Sequence, residues 1–163
     1  MDLMILYPLL EFIHILSAAI LFGTGLGTAF HMWMAHKSGN VPAIAVAARN
    51  TVKADFWLTA PAIIIQLATG IAMIVFVGFL WNAEWLIHAY ILFAIAGAAW
   101  IPVVKIQIEV ANLAEEAAAN NKPLPEAYFR KMKIWYWLGW PAFIAVIAIF
   151  YLMVFKPEIW SGG

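Results

Sequence analysis

The chemistry available to this chain is set first by its histidines. It has no cysteine, which excludes disulfides, thiolate metal sites and a cysteine nucleophile and leaves imidazole as the strongest metal donor. There are four histidines, His14, His31, His36 and His88. His14 and His88 lie inside long apolar runs. Two imidazoles facing each other between helices are the axial ligand set of a b-type heme. The segment "HMWMAH", His31 to His36, offers a second chemistry, because imidazoles beside thioethers suit Cu(I). On a helix His31 and Met34 share a face and His36 points elsewhere, so the copper set is the poorer one. No zinc-protease spacing, nucleophile elbow or phosphate loop occurs.

These side chains need a scaffold, and the composition says which. Of 163 residues 66% are apolar and 11% charged, with mean hydropathy +0.90; soluble domains carry about 25% charged residues. The expected solvent is a lipid bilayer. Zero net charge without a basic stripe excludes nucleic-acid binding. The residues before Leu6 are acidic through Asp2 and lack the basic start of a cleavable signal, so the first apolar run is expected to be retained.

Four apolar runs each reach the roughly 20 residues that cross ~30 Å of hydrocarbon. The expected fold is all-α, an integral membrane four-helix bundle forming one domain over residues 1–163. Its helices fall at approximately 8–36, 53–80, 84–119 and 128–155, with a short amphipathic helix at approximately 41–52. Pro8 is placed in the first turn of helix one, where its missing N–H is harmless. "SGN" at Ser38, "WNAE" at Trp81 and "NNKPLPEA" at Asn120 separate the runs, and helix three extends past the membrane through "VKIQIEVANLAEEAAANN". Lys53 and Asp55 are assigned to capping or anchoring helix two. Eight of the nine basic residues fall in two loops, 37–53 and 105–133, and only Lys156 lies at the other end. The positive-inside rule then makes loops 37–53 and 106–133 cytoplasmic and both termini periplasmic, in a bacterial inner membrane. Trp81, Trp85, Trp135, Trp137 and Trp160 fit an aromatic belt.

Depth and face narrow the candidates. His14 lies six residues below Pro8, ~9 Å, and His88 four below Glu84, ~6 Å. Both helices enter from the same side, so the two imidazoles come to similar depth. His14 shares a stripe with Ser17, Ala18, Leu21, Gly25 and Met32; helix two presents Thr59, Ala62, Gln66, Thr69, Gly70 and Met73. Gln66 needs a hydrogen-bond partner, because lipid supplies none. Gly23, Gly27 and His31 line another face at i, i+4 and i+8. The plainer reading of Gly23 and Gly27 is close helix packing, and that of a lone membrane histidine is an interhelical hydrogen bond. Met32 and Met34 read as apolar filler, and "WYWLGWP" as interface anchoring.

"FIHILSAAILFGTGLG…FHMWMAH" resembles the start of small bacterial membrane proteins of the HemJ-type protoporphyrinogen oxidases and CopD-type copper-resistance domains. "EWLIHAYILF" resembles a helix-three segment of the HemJ type. "FWLTAPAIIIQLATG" and "WIPVVKIQIEVANLA" are similar to a bacterial family of predicted integral membrane proteins of unassigned function, and the likeness spans most of the chain. The resemblance implies that His14 matches the helix-one heme histidine of the HemJ type. That family's lysine falls near Tyr90, and "HAY" in place of "HAK" argues against protoporphyrinogen oxidation.

The expected function is a membrane cytochrome b-like protein in electron transfer or membrane redox chemistry; if an enzyme, it is a heme-dependent oxidoreductase. Heme b is expected on His14 and His88, with His31 as an alternative ligand and Ser17, Gly25, Gln66 and Thr69 around the cofactor. A quinone or a redox protein is the expected partner, in a homo-oligomer or a larger membrane complex. The alternatives are a cofactor-free accessory subunit and a copper-handling membrane protein.

Overall fold

The structure, a computed structural model, describes residues 3–78 and 80–157. Those residues form five α-helices and no strand: α1 Leu3–Ser38, α2 Val41–Ala54, α3 Ala60–Val77, α4 Glu84–Ala119 and α5 Glu126–Phe155. A single π turn, Asp55–Thr59, joins α2 to α3 without interrupting the helix. Four segments are long and apolar enough to cross a membrane: Ile5–Ser38, Val41–Phe76, Glu84–Ala119 and Glu126–Phe155.

Three boundaries differ from the sequence reading. α1 starts at Leu3, so Pro8 lies inside the helix and not at its first turn. The stretch 41–52 is not a separate element turning into helix two; α2 runs through the π turn into α3. Pro61 supplies the reason. A proline at position i in an α-helix removes the bond to the carbonyl at i−4 and its ring collides with that carbonyl, here Trp57. Widening the preceding turn relieves the collision at the cost of regular bonding. α3 ends at Val77, before Leu80, because Gly78 adopts φ 79° and ψ 28° and returns its N–H to the Ile74 carbonyl at 3.1 Å; that left-handed cap favours glycine.

The helices pack as two antiparallel pairs, α1 with α3 and α4 with α5. α2 crosses from one to the other, packing on both α4 and α1. This joint carries most of the buried core: Met32, Ile44, Ala45, Ala47, Ala48, Val110, Ala111, Ala114, Tyr128, Met132 and Trp135. Its alanines let helix axes approach closely, and Tyr128 and Met132 fill what remains. All these residues lie toward the end of the molecule that carries the basic loops. Arg49 pairs with Glu115 and Asn112, and Lys131 with Glu109 at 2.5 Å. The side chains of these ions are 30% to 43% exposed, so they add little stability and mark where α2 and the far half of α4 meet water. Toward the opposite end the two pairs meet through the rings of Phe22, Phe143 and Phe150, with Phe22 stacked 4.7 Å from Phe143.

Tyr128 is fully buried, and its hydroxyl lies 3.1 Å from His36 Nδ1. Tyr128→Phe keeps the ring and removes this one bond, so a loss of about 1 kcal/mol in unfolding free energy is expected. A denaturation midpoint unchanged from wild type would show that the bond contributes nothing.

Candidate functional site

Between α1 and α3 a polar lattice crosses an otherwise apolar interface. His14 Nδ1 lies 2.9 Å from Thr69 Oγ1, and His14 Nε2 lies 2.7 Å from Gln66 Nε2. Thr69 Oγ1 donates to the Ile65 carbonyl at 2.7 Å. Ser17 Oγ donates to Gln66 Oε1 and is also within reach of the His14 carbonyl. The proton positions follow from the donors. The Thr69 hydroxyl proton is committed to a carbonyl, so Thr69 Oγ1 accepts from His14 Nδ1–H. The Gln66 amide nitrogen can only donate, so His14 Nε2 accepts. His14 is thus a neutral imidazole fixed as the Nδ1–H tautomer, with every polar atom in the lattice satisfied.

The α1–α3 approach is close enough for this because of Gly70. A Cβ there would meet His14 Cε1 at 3.3 Å, so the imidazole lies against bare α3 backbone. Ser17 and Thr69 are buried, at 3% and 7% exposure. His14, Ser17, Gln66 and Thr69, four residues singled out by depth and face, do come together.

The remaining candidates do not join them. His88 is on α4, which packs on α5, and its Nδ1 donates to the Glu84 carbonyl at 2.7 Å. Both ring nitrogens of His14 turn to α3, so the structure does not place His88 opposite His14. Gly25 is exposed, with nothing among the described residues within 4 Å of an added Cβ. Gly23 and Gly27 are equally open, with nothing among the described residues within 4 Å of an added Cβ. His31 is exposed beside them. In "HMWMAH" Met32 is buried in the core, Met34 is half exposed, and His36 turns to Tyr128, so helix geometry scatters the copper donors. Among the described residues no three His, Asp or Glu side chains form a metal-binding group.

A second polar cluster was not foreseen from the sequence. Asp55, the first residue of the π turn, is buried together with Thr59, Gln107 and Trp135. Thr59 Oγ1 donates to Asp55 Oδ1 at 2.8 Å, Gln107 Nε2 donates to Oδ2, and Trp135 Nε1 donates to Gln107 Oε1 at 3.1 Å. Among the described residues the ion pairs are Arg49–Glu115 and Lys131–Glu109, and no cation lies against Asp55. Its carboxylate is therefore held by neutral donors alone. The available signal was Asp55 and Gln107 lying within stretches whose neighbours recur at apolar helical spacing, where a polar residue must find a partner on another helix.

Four apolar helices of spanning length with polar side chains paired across their interfaces define a polytopic integral membrane protein. Residues 8–157 match the family described as "Predicted integral membrane protein (DUF2269)", and the chain belongs to that family. No curated protein and no solved structure matches it.

Proposed function

We propose that this protein binds a b-type heme in the membrane, with His14 as a ligand and His88, which does not lie opposite it, as a separate candidate ligand. The observation that carries this reading is the shared state of the two imidazoles. Each commits its Nδ1–H to an oxygen acceptor, Thr69 Oγ1 for His14 and the Glu84 carbonyl for His88. A metal-bound histidine takes this form: the second-shell acceptor fixes the tautomer and makes Nε2 the coordinating nitrogen. The donor set therefore fits heme iron at His14 and at His88 taken singly. At His14, Gln66 must withdraw its amide from Nε2, and Ser17 already offers that side chain another bond. A heme held at either histidine would supply one-electron transfer. Thr69 holds the ring, Gly70 admits it against α3, and the surrounding apolar side chains keep water away.

The lattice is also complete without a cofactor, and this supports the rival reading of an accessory membrane subunit whose histidines only hydrogen-bond. The visible spectrum of the protein purified after expression with added heme precursor separates the two. A Soret band that sharpens on reduction is expected, and His14→Ala is expected to abolish most of it. A colourless wild-type protein, or an unchanged spectrum in His14→Ala, would overturn the assignment.

A further inference from the structure

A groove of about 160 Å³ opens between α1 and the π turn, lined in part by Ile13, Leu16, Ser17, Trp57, Pro61 and Ala62. Ser17 is its polar floor; the other five side chains are apolar or aromatic. One ring-sized head group fits such a volume. Trp57 is 71% exposed here, so its indole face is available to a ligand within the bilayer.

The backbone beside this groove is short of donors. The Ala60 N–H goes to the Asp55 carbonyl, five residues back, and so is not spent on Phe56. Pro61 has no N–H at all. The Phe56 carbonyl therefore loses both the donor an α turn would give it, from Ala60, and the donor a π turn would give it, from Pro61. The Trp57 carbonyl loses its α-turn donor, which would also be Pro61. Helix carbonyls point toward the following turn, here toward Pro61 at the groove wall. An acceptor left unpaired at membrane depth is costly, because lipid offers no hydrogen. The groove thus combines a ring-sized apolar slot, an exposed indole and a backbone acceptor lacking a donor.

We propose that this groove binds the head group of a membrane quinol, with a quinol hydroxyl donating to the backbone carbonyl freed by Pro61. The occupant is a quinol and not a quinone because the site presents acceptors. A quinone carries only acceptors itself and leaves the carbonyl unpaired, whereas a quinol supplies the missing O–H. An isoprenoid tail would continue along the apolar α1 and α3 surfaces, where Leu16, Ile20 and Ile65 are exposed. The site stands on the π turn and Pro61, independently of any heme at His14.

The test uses the full chain in lipid nanodiscs and a short-chain ubiquinol as probe, with binding read from quenching of tryptophan fluorescence and checked with Trp57→Phe. Ubiquinol is expected to bind roughly tenfold or more tightly than the matching ubiquinone, the factor for one unpaired acceptor. Pro61→Ala restores an N–H to the Trp57 carbonyl and straightens the turn, so it is expected to weaken ubiquinol binding by about the same factor while leaving a folded protein. Ala62→Leu fills the slot and is expected to abolish binding. Equal affinity for the two redox forms, equal affinity for oleyl alcohol, or full binding in Pro61→Ala would each overturn the proposal. Ubiquinol binding retained in His14→Ala, together with a colourless wild type, would sink the heme assignment alone.

Discussion

Gln107→Leu is expected to lower the unfolding free energy by about 3–5 kcal/mol, among the largest effects available to a single side chain in this molecule. Gln107 is 4% exposed and bridges three elements: it donates to Asp55 on the π turn and accepts from Trp135 on α5. Leucine occupies a similar volume, so cavity formation contributes little and the loss is polar. Two groups are orphaned at once, a carboxylate oxygen and an indole N–H. A neutral interhelical hydrogen bond in a membrane protein contributes only about 0.6 kcal/mol on average. The carboxylate decides the size, because an ionised acceptor that loses a buried donor costs about 1.5–3 kcal/mol or more. Denaturation in mixed micelles would measure the effect. A loss below about 1 kcal/mol, the scale expected for the exposed neighbour in Ile108→Ala, would show that water or lipid head groups reach Asp55.

The same reasoning fixes the sign of the rescue. With Asp55→Leu added to Gln107→Leu, the carboxylate that lacked a donor is gone and two apolar side chains face each other. Replacing a buried charged cluster by apolar groups is often neutral, so the double variant is expected to recover much of the loss, and the two substitutions are expected to be strongly non-additive. The position explains why such a cluster is tolerated. It fastens the widened turn before Pro61 to α4 and, through Trp135, to α5.

How far the sequence reached follows from which signals are local. Spanning length and helix ends are: an apolar run either reaches about 20 residues or does not, and "SGN" and "NNKPLPEA" stop helices through backbone preferences of their own residues. The α1–α3 lattice was legible for a related reason. His14 and Ser17 lie one turn apart on one stripe, Gln66 and Thr69 on another, and in lipid each must find a partner. Which helices face each other is not local. The depth argument places His14 and His88 at matching heights, yet height does not make neighbours, and α1 packs on α3 while α4 packs on α5. Asp55 was hidden differently. Beside Lys53 and Thr51 it reads as a polar helix start, and only the continuity of α2 through the π turn into α3 buries it. The glycines at Gly23 and Gly27 carry a packing motif, but no helix among the described residues fills it; Gly70 is a glycine used for close approach.

Gln66→Ala is expected to separate the cofactor reading from the purely structural one by the direction of two measurements. Gln66 holds His14 Nε2 and receives Ser17 Oγ. Removing its amide leaves an unsatisfied imidazole nitrogen and frees a hydroxyl proton, which Ser17 can give to the His14 carbonyl already within reach. The heme-free protein is therefore expected to lose about 1–2 kcal/mol of stability, the scale of one or two neutral interhelical bonds. If Nε2 is the ligand nitrogen, the same change removes the one protein group that competes with iron for it. Heme affinity is then expected to rise by roughly tenfold, because the bond broken on ligation in the wild type is already absent. Thr69→Val acts in the opposite sense. It deletes the acceptor that orients Nδ1–H, and losing such a second-shell partner typically weakens metal binding by about 10–100-fold. Titrating hemin into the two variants and following the Soret band, with thermal denaturation of the heme-free forms alongside, gives the comparison. Tighter binding in Gln66→Ala with weaker binding in Thr69→Val requires an imidazole poised through Nδ1. Lower stability in both variants, with no heme bound by either, would leave the lattice as an interhelical clamp and nothing more.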